Sequence, residues 1–93
     1  YSTFVFNELI DPIIEVYPNP AKNQLNIDFE LLSKSDINMT IYDLSGRVMF
    51  YQNISATKQC VMEISLDDFN DGVYNCFIQT ENDIYNKKVI VIK

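Results

Sequence analysis

Histidine and tryptophan are absent from this 93-residue sequence, and glycine, cysteine and proline are scarce, with two, two and three residues. Without histidine, the serine and cysteine side chains lack their usual catalytic base. Two glycines are too few for a glycine-rich phosphate-binding loop. The acidic stretch Asp67–Asp71 lacks the ligand spacing of an EF-hand calcium loop. The sequence therefore predicts a protein that is not an enzyme and that needs no cofactor and no metal.

Basic residues are also few: the sequence has seven lysines and arginines and thirteen aspartates and glutamates, which gives a net charge of −6. A chain of this charge is a poor partner for nucleic acid, which is bound by neutralising phosphates. The charge is unevenly spread, because every acid precedes residue 84 while Lys87, Lys88 and Lys93 lie within the last seven positions. No apolar run exceeds four residues, so the sequence predicts no membrane span.

The two cysteines, Cys60 and Cys76, are too few for a zinc site. Both fall on the same side of an alternating pattern, facing the expected core. Two alternatives stay open for them. They form one disulfide across the connection between their strands in an oxidising compartment, or they are two free thiols that act as small buried hydrophobes.

Alternation of apolar and polar residues with a period of two dominates the rest of the sequence, which is typical of half-buried strands. Polar breaks, among them SKSD and SATK, separate the alternating runs, and no run shows helical periodicity. The sequence predicts an all-β, immunoglobulin-like antiparallel β-sandwich of about seven strands. The runs are IIEV (13–16), QLNIDFELL (24–32), INMTIYD (37–43), RVMFYQNI (47–54), CVMEISL (60–66), VYNCFIQT (73–80) and KKVIVIK (87–93).

Both glycines lie at expected corners. In IYDLSGRVM, Asp43 can bond its own backbone in an Asx-turn, and Gly46 supplies the positive φ of a tight hairpin. The same steric argument applies to Gly72 in NDGVY. Arg47 either pairs with a nearby acid or presents an exposed contact.

The segment VYPNP contains two of the three prolines. Pro18 and Pro20 donate no N–H and favour extended backbone at the residues before them, so strand pairing is expected to stop there. From local physics alone, the segment is a stiff corner.

Four segments, in this order, resemble a known family: VYPNPAKNQLNI, IYDLSGRVM, DGVYNCFIQT and KKVIVIK. Together they closely resemble the C-terminal sorting domain (type A) of cargo for the type IX secretion system of Gram-negative bacteria. The resemblance covers about residues 13–93, which we expect to be the sorting domain. Residues 1–12 look like a linker from a preceding cargo domain, and any signal peptide is expected elsewhere in a longer parent chain. The cysteine pair is not part of the family pattern.

The resemblance implies an immunoglobulin-like sandwich that is not itself an enzyme and that carries the export address of a secreted protein. Its implied partners are the outer-membrane translocon, shuttle and sortase proteins of the type IX system. The implied location is the periplasm in transit, then the cell surface or the extracellular space. The positions that match the family's marked residues are Pro18, Asn19, Pro20, Gly46, Arg47, Gly72, Tyr74, Lys87, Lys88, Val89, Ile90, Val91, Ile92 and Lys93.

Two interpretations of the lysine-rich last strand follow. It is either a protected, soluble edge or a docking element that joins a partner's sheet by strand addition. An exposed edge strand would also allow self-association of the domain. The alternative function is an immunoglobulin-like adhesion module that contacts carbohydrate or a protein surface.

Overall fold

The computed structural model describes residues 11–93, in which all regular secondary structure is β-strand. The strands are β1 (Ile13–Tyr17), β2 (Gln24–Asp43), β3 (Val48–Ser65), β4 (Gly72–Gln79) and β5 (Ile84–Val91). All strand pairs are antiparallel, as predicted. Residues 1–10 of the predicted linker lie outside the described residues. In residues 11–93 there is no helix of the length and apolarity that crossing a membrane requires.

The described residues contain five strands rather than seven, because two pairs of predicted strands are continuous. The predicted breaks SKSD and SATK lie inside β2 and β3, where Ser35 pairs with Thr57. The register shifts on both sides of Ser35, and Ala56 has a positive φ of 45°. At this irregular bend the Ala56 N–H also donates to the Asp36 carboxylate, so the two polar segments are joined and neither has to reverse the chain.

β2 is the central strand of the fold. Its first half lies between β1 and β3, and its second half lies between β3 and β4. β5 pairs with β4, which gives the strand order β1-β2-β4-β5, with β3 joined to β2 alone. β2 and β3 each consist of two halves that meet at the bend, so the β2–β3 hairpin contributes four segments. With the other three strands they correspond to the seven runs of the sequence.

The two ends of β2 lie at the same end of the molecule. Ala21, just before β2, forms a parallel bridge with Val91 of β5. Asp43, the last residue of β2, pairs with Tyr74, and Tyr74 pairs with Val89 of β5. A straight 20-residue strand would span about 66 Å. The β2–β3 hairpin therefore folds over at its polar bend, as a two-layered sandwich requires. The immunoglobulin-like connectivity itself stays a prediction.

One apolar cluster fills the interior, and each strand from β2 to β5 contributes alternate side chains to it. Alternation along β2 explains most of this core, because polar residues separate its buried ones. The buried apolar residues are Ala21, Leu25, Ile27, Phe29, Leu31, Ile37, Met39, Ile41, Ile64, Leu66, Phe69, Tyr74, Cys76, Ile78, Val89 and Val91.

The disulfide alternative for Cys60 and Cys76 is wrong, since both thiols are free. Cys60 pairs with Phe29 near one end of β2, whereas Cys76 pairs with Ile41 near the other. The two strands were expected to flank one connection with their cysteines close together. Instead they pair with opposite halves of β2. Cys76 is fully buried, and Cys60 is half-buried beside the core.

Candidate functional site: the corner that closes the last strand

The asparagine of VYPNP is bonded to the backbone of β5. Its side-chain Nδ2 donates to the carbonyl oxygen of Lys88 at 3.1 Å, and its Oδ1 accepts from the N–H of Ile90 at 2.9 Å. A primary amide offers one donor and one acceptor side by side, as a neighbouring strand would. Asn19 therefore continues the sheet at the outer edge of β5 with a side chain in place of a strand.

The prolines on either side present Asn19 to that edge. The Tyr17–Pro18 and Asn19–Pro20 peptide bonds are both cis, and Pro18, Asn19 and Pro20 are all exposed. β1 ends at Tyr17, whose strand partner is Asn26. Strand pairing stops at the prolines, as predicted.

Pairing resumes one residue later, at Ala21. Its N–H donates to the carbonyl of Ile90 at 2.7 Å, and its carbonyl accepts from the N–H of Ile92 at 2.9 Å. Ala21 is buried between the first residues of β2 and the end of β5. Together, Asn19 and Ala21 occupy the outer edge of β5 from Lys88 to Ile92. This part of β5 is therefore not an open edge for strand addition.

Lys93 fastens the end of the same segment to the connection between β3 and β4. Its backbone N–H donates to the Asp71 carboxylate at 3.0 Å. Its ammonium group donates to the carbonyl oxygens of Leu66 and Asp67. We call Asn19, Ala21 and Asp71, which hold Lys88–Lys93 from two sides, the strand clamp.

Tyr74 supports the clamp from inside. Its hydroxyl donates to the carbonyl of Asn70 at 2.6 Å, and its ring packs edge-on against Phe69 with centroids 5.0 Å apart. These contacts fix the loop that carries Asp71. Gly72 begins β4 with φ of +157°, and a Cβ there would meet the Tyr74 ring only at ordinary contact distance. Glycine is favoured at position 72 by its positive φ, as the sequence predicted, and not by a lack of room for a side chain.

The Asp43–Arg47 turn is organised around one carboxylate. Asp43 Oδ1 accepts from the Ser45 N–H, the Ser45 hydroxyl and the Arg47 N–H, at 2.9, 2.6 and 2.9 Å. Its Oδ2 pairs with the Arg47 guanidinium at 3.2 Å. Gly46 has φ of +91°. The predicted Asx-turn and positive φ are confirmed, and Arg47 does pair with an acid, although its side chain remains 68% exposed.

The hydroxyl of Ser45, followed by the Arg47 N–H, lowers the pKa of the Asp43 carboxyl below its ordinary value of 3.8. A carboxylate that accepts several hydrogen bonds favours its charged form. At neutral pH the Asp43 carboxylate is therefore ionised, and it pairs with the exposed Arg47 guanidinium. It lies beside the strand clamp because Asp43 and Tyr74 are strand partners.

The side chains that could bind a metal ion or act as a nucleophile are scattered or buried in residues 11–93. Among residues 11–93 no three His, Cys, Asp or Glu side chains are grouped to hold a metal ion. Burial raises the pKa of the Cys76 thiol to about 12, so its nucleophilic thiolate is scarce at neutral pH.

The two outward faces of the sheet differ in charge. The face on the first half of β2 carries Glu15, Asp28, Glu30 and Glu63 in neighbouring rows. The face on the second half carries mainly amides, hydroxyls and aromatic rings, with Lys88 on β5 and Asp36 at the bend as charged side chains. The uncharged members of this face, which we call the neutral face, include Asn38, Thr40, Tyr42, Tyr51, Asn53, Asn75, Phe77, Gln79 and Asn86.

The sequence-predicted site residues differ in how exposed their side chains are. Pro18, Asn19, Pro20, Arg47 and Lys88 are exposed at or near the clamp. Tyr74, Val89 and Val91 are buried and shape it, and Ile90 lies half-buried between them. Lys87 is half-buried and pairs with Cys76, farther along β5, while Ile92 and Lys93 are exposed at its end.

Sequence reasoning missed Ala21 and Asp71 as members of the clamp, and it missed the bonding role of Asn19. The partners of Asn19 lie 69 and 71 positions away, so no local pattern reveals them. The one signal in the sequence for this role was the position of Asn19 between two prolines, which donate no backbone N–H and so leave the side-chain amide as a local hydrogen-bonding group.

A family model described as "Secretion system C-terminal sorting domain" matches residues 15–93. No curated protein matches the chain. Among solved structures, the chain is similar to the "Crystal structure of dimeric latent PorU from Porphyromonas gingivalis", with a TM-score of 0.62 and 18% sequence identity. The similarity covers 87% of this chain but only 9% of that chain. At this identity the likeness concerns the fold.

Proposed function

Because the chain belongs to the secretion system C-terminal sorting domain family, we propose that it directs an attached cargo through the type IX outer-membrane translocon. Members of this family are non-catalytic sorting signals, which implies interaction with the secretion system and export to the cell surface or beyond. The cargo would precede residue 13, with residues 1–12 as its linker, and would pass through the periplasm. A shuttle protein would bind the folded domain, and a sortase would then cleave it and attach the cargo to the surface.

The observation that carries this proposal is the strand clamp. The VYPNP corner and the DGVY segment are far apart in sequence, yet both hydrogen-bond to the last segment, Lys88–Lys93, at one end of the fold. The DLSGR turn lies next to them through the pairing of Asp43 with Tyr74. A recognition protein that contacts this end would meet all four family segments at once.

The geometry favours recognition of a folded surface over strand addition to β5. Asn19 and Ala21 already satisfy the outer backbone edge from Lys88 to Ile92. Pro18, Pro20 and Lys88 are exposed around them. In this proposal the translocon or its shuttle contacts these three side chains directly, while Asn19 holds the surface in shape.

The test is secretion of a fluorescent reporter that carries residues 1–93 at its C-terminus and a periplasmic signal at its N-terminus. The host has an intact type IX system. Lys88→Glu reverses the exposed charge at the clamp and should lower the secreted fraction by about tenfold, the size expected for losing about 1.4 kcal/mol of binding. Lys58→Glu makes the same charge change on β3, away from the clamp, and should leave secretion unchanged.

Circular dichroism of both purified variants must show the native fold, so that a loss of secretion reports recognition. A reporter with the unaltered domain that stays in the periplasm would refute the sorting function. Normal secretion of Lys88→Glu would refute only the assignment of the clamp surface.

The alternative function, a carbohydrate-binding adhesion module, has one observation in its favour. On the neutral face, Tyr42 and Phe77 pack edge-on with centroids 5.6 Å apart, and Asn75 lies beside Tyr42. Aromatic rings next to amides suit a polar ligand with apolar faces. Binding of the isolated domain to a glycan array that is lost in Phe77→Ala would support this function.

A further inference from the structure

β3 has an unpaired edge over its first seven residues, Val48–Ile54. In the described part of the chain, β3 pairs with β2 and with no other strand. Every second residue of such an edge presents a backbone N–H and C=O to solvent. These groups are the ones that a further strand would bond.

Residues 48–54 have little of the usual protection of an edge strand: their one interruption is a register shift at Met49, where Ile41 and Tyr42 pair with Phe50 and Val48. The segment VMFYQNI contains no charge, no proline and no glycine, and it is rich in β-branched and aromatic side chains. Tyr51 is 58% exposed and Val48 is 52% exposed. By contrast, β1 carries Glu15 and is flanked by prolines 12 and 18, and the end of β5 is closed by the clamp. β3 is thus the exception among the edges.

The charge pattern decides which partner can approach this edge. Two copies of a chain with a net charge of −6 repel each other, most strongly where their acidic faces meet. The first half of β3 borders the neutral face, next to Asn38 and Thr40, whereas the acidic face is on the other half of β2. It is therefore the edge at which a second copy meets the least repulsion.

We propose that residues 48–54 of β3 pair antiparallel with the same residues of a second copy, in a two-fold symmetric dimer. Antiparallel pairing of identical segments is self-complementary, so it closes the edge of both copies at once. With Tyr51 on the symmetry axis, Val48 lies opposite Ile54 of the second copy. The two sheets join into one, running from β5 of one copy to β5 of the other.

A seven-residue edge forms an interface at the small end of the range for specific contacts, so the dimer should be reversible and depend on concentration. Sedimentation equilibrium from micromolar to millimolar concentration should show a monomer–dimer transition. Tyr51→Lys places like charges on the axis and should weaken dimerisation at least about tenfold. Val61→Lys makes the same kind of change at a 65% exposed position on the other half of β3, and should leave the transition unchanged.

A cysteine on the symmetry axis tests the register. Directly opposed residues of antiparallel strands have Cα atoms about 4.5–5.5 Å apart, which a disulfide can bridge. Tyr51→Cys in a Cys60→Ser background should cross-link into a dimer under mild oxidation, whereas Val61→Cys in the same background should not. A domain that stays monomeric to millimolar concentration would overturn the proposal, as would a dimer insensitive to Tyr51→Lys. Neither result would bear on the sorting function, because the proposal rests on the β3 edge alone.

Discussion

At the residue scale, single polar side chains replace backbone partners at two corners of the fold. Asn19 completes the edge of β5, and Asp43 collects the donors of its own turn. In each case, one side chain binds two or more backbone or side-chain groups in a geometry that a substitution cannot reproduce. These two residues are therefore the most informative positions for mutation.

The titration of Asp43 should reveal its turn. The pKa of its carboxyl is lowered in the folded protein, so the stability it contributes is present above the ordinary aspartate pKa and is lost as pH falls through the lowered value. An NMR pH titration of the Asp43 side-chain carboxyl should give a midpoint below 3.8. In Ser45→Ala, which removes the largest cause of the shift, the midpoint should rise. A midpoint at or above the ordinary value in the unaltered protein would show that the turn does not form in solution.

At the element scale, β5 is held differently on its two sides. β4 pairs with it along its length from Ile84 to Val91, whereas on the opposite side residues 11–93 supply backbone partners only from Lys88 onward. Those partners come from the corner between β1 and β2. The last strand thus links the two halves of the fold, because Ala21 precedes the first half of β2 and β4 pairs with the second half.

Hydrogen exchange can separate the two members of the corner. The Ile90 N–H is bonded to the Asn19 side chain, and the Ile92 N–H is bonded to the Ala21 backbone. In Asn19→Ala, Ile90 should exchange about fivefold faster, since one hydrogen bond contributes about 1 kcal/mol of local stability. Ile92 should keep its protection and so serve as the internal control. Equal acceleration at both amides would mean that the corner opens as one unit rather than through Asn19.

At the scale of the whole molecule, one cluster of buried residues joins both halves of the folded-over hairpin. Cys76 lies in this cluster with no exposed surface, while Cys60 lies at its margin. The reactivity of the buried Cys76 thiol therefore reports global unfolding, whereas the half-buried Cys60 thiol can react in the folded protein.

Thiol labelling should distinguish the two cysteines. At pH 8 and without denaturant, one equivalent of a thiol reagent should react quickly, at Cys60. Cys76 should react only at the rate of global unfolding, because it is buried and its pKa is raised to about 12. Cys60→Ser should abolish the fast phase, and urea should make both thiols reactive. Rapid labelling of Cys76 in the native protein would mean that the core opens locally around β4.

The sequence by itself determined the features that depend on neighbouring residues. Alternation along β2 and β4 identified the buried faces, since successive side chains of a strand point to opposite sides. The Asx-turn at Asp43 and the positive φ at Gly46 followed from contacts within four residues. The family resemblance also came from the sequence, through the order and spacing of its four segments.

Only the tertiary structure decided which distant segments meet. Four of the predicted strands form only two in the structure, because Ser35 of SKSD pairs with Thr57 of SATK across the hairpin. The tertiary structure placed Cys60 and Cys76 on opposite halves of β2, and it gave Asn19 its partners on β5. These outcomes depend on where a 20-residue strand bends and on what then lies beside it. Contacts between residues some 70 positions apart leave no local pattern, since their free energy is gained only after the chain has folded.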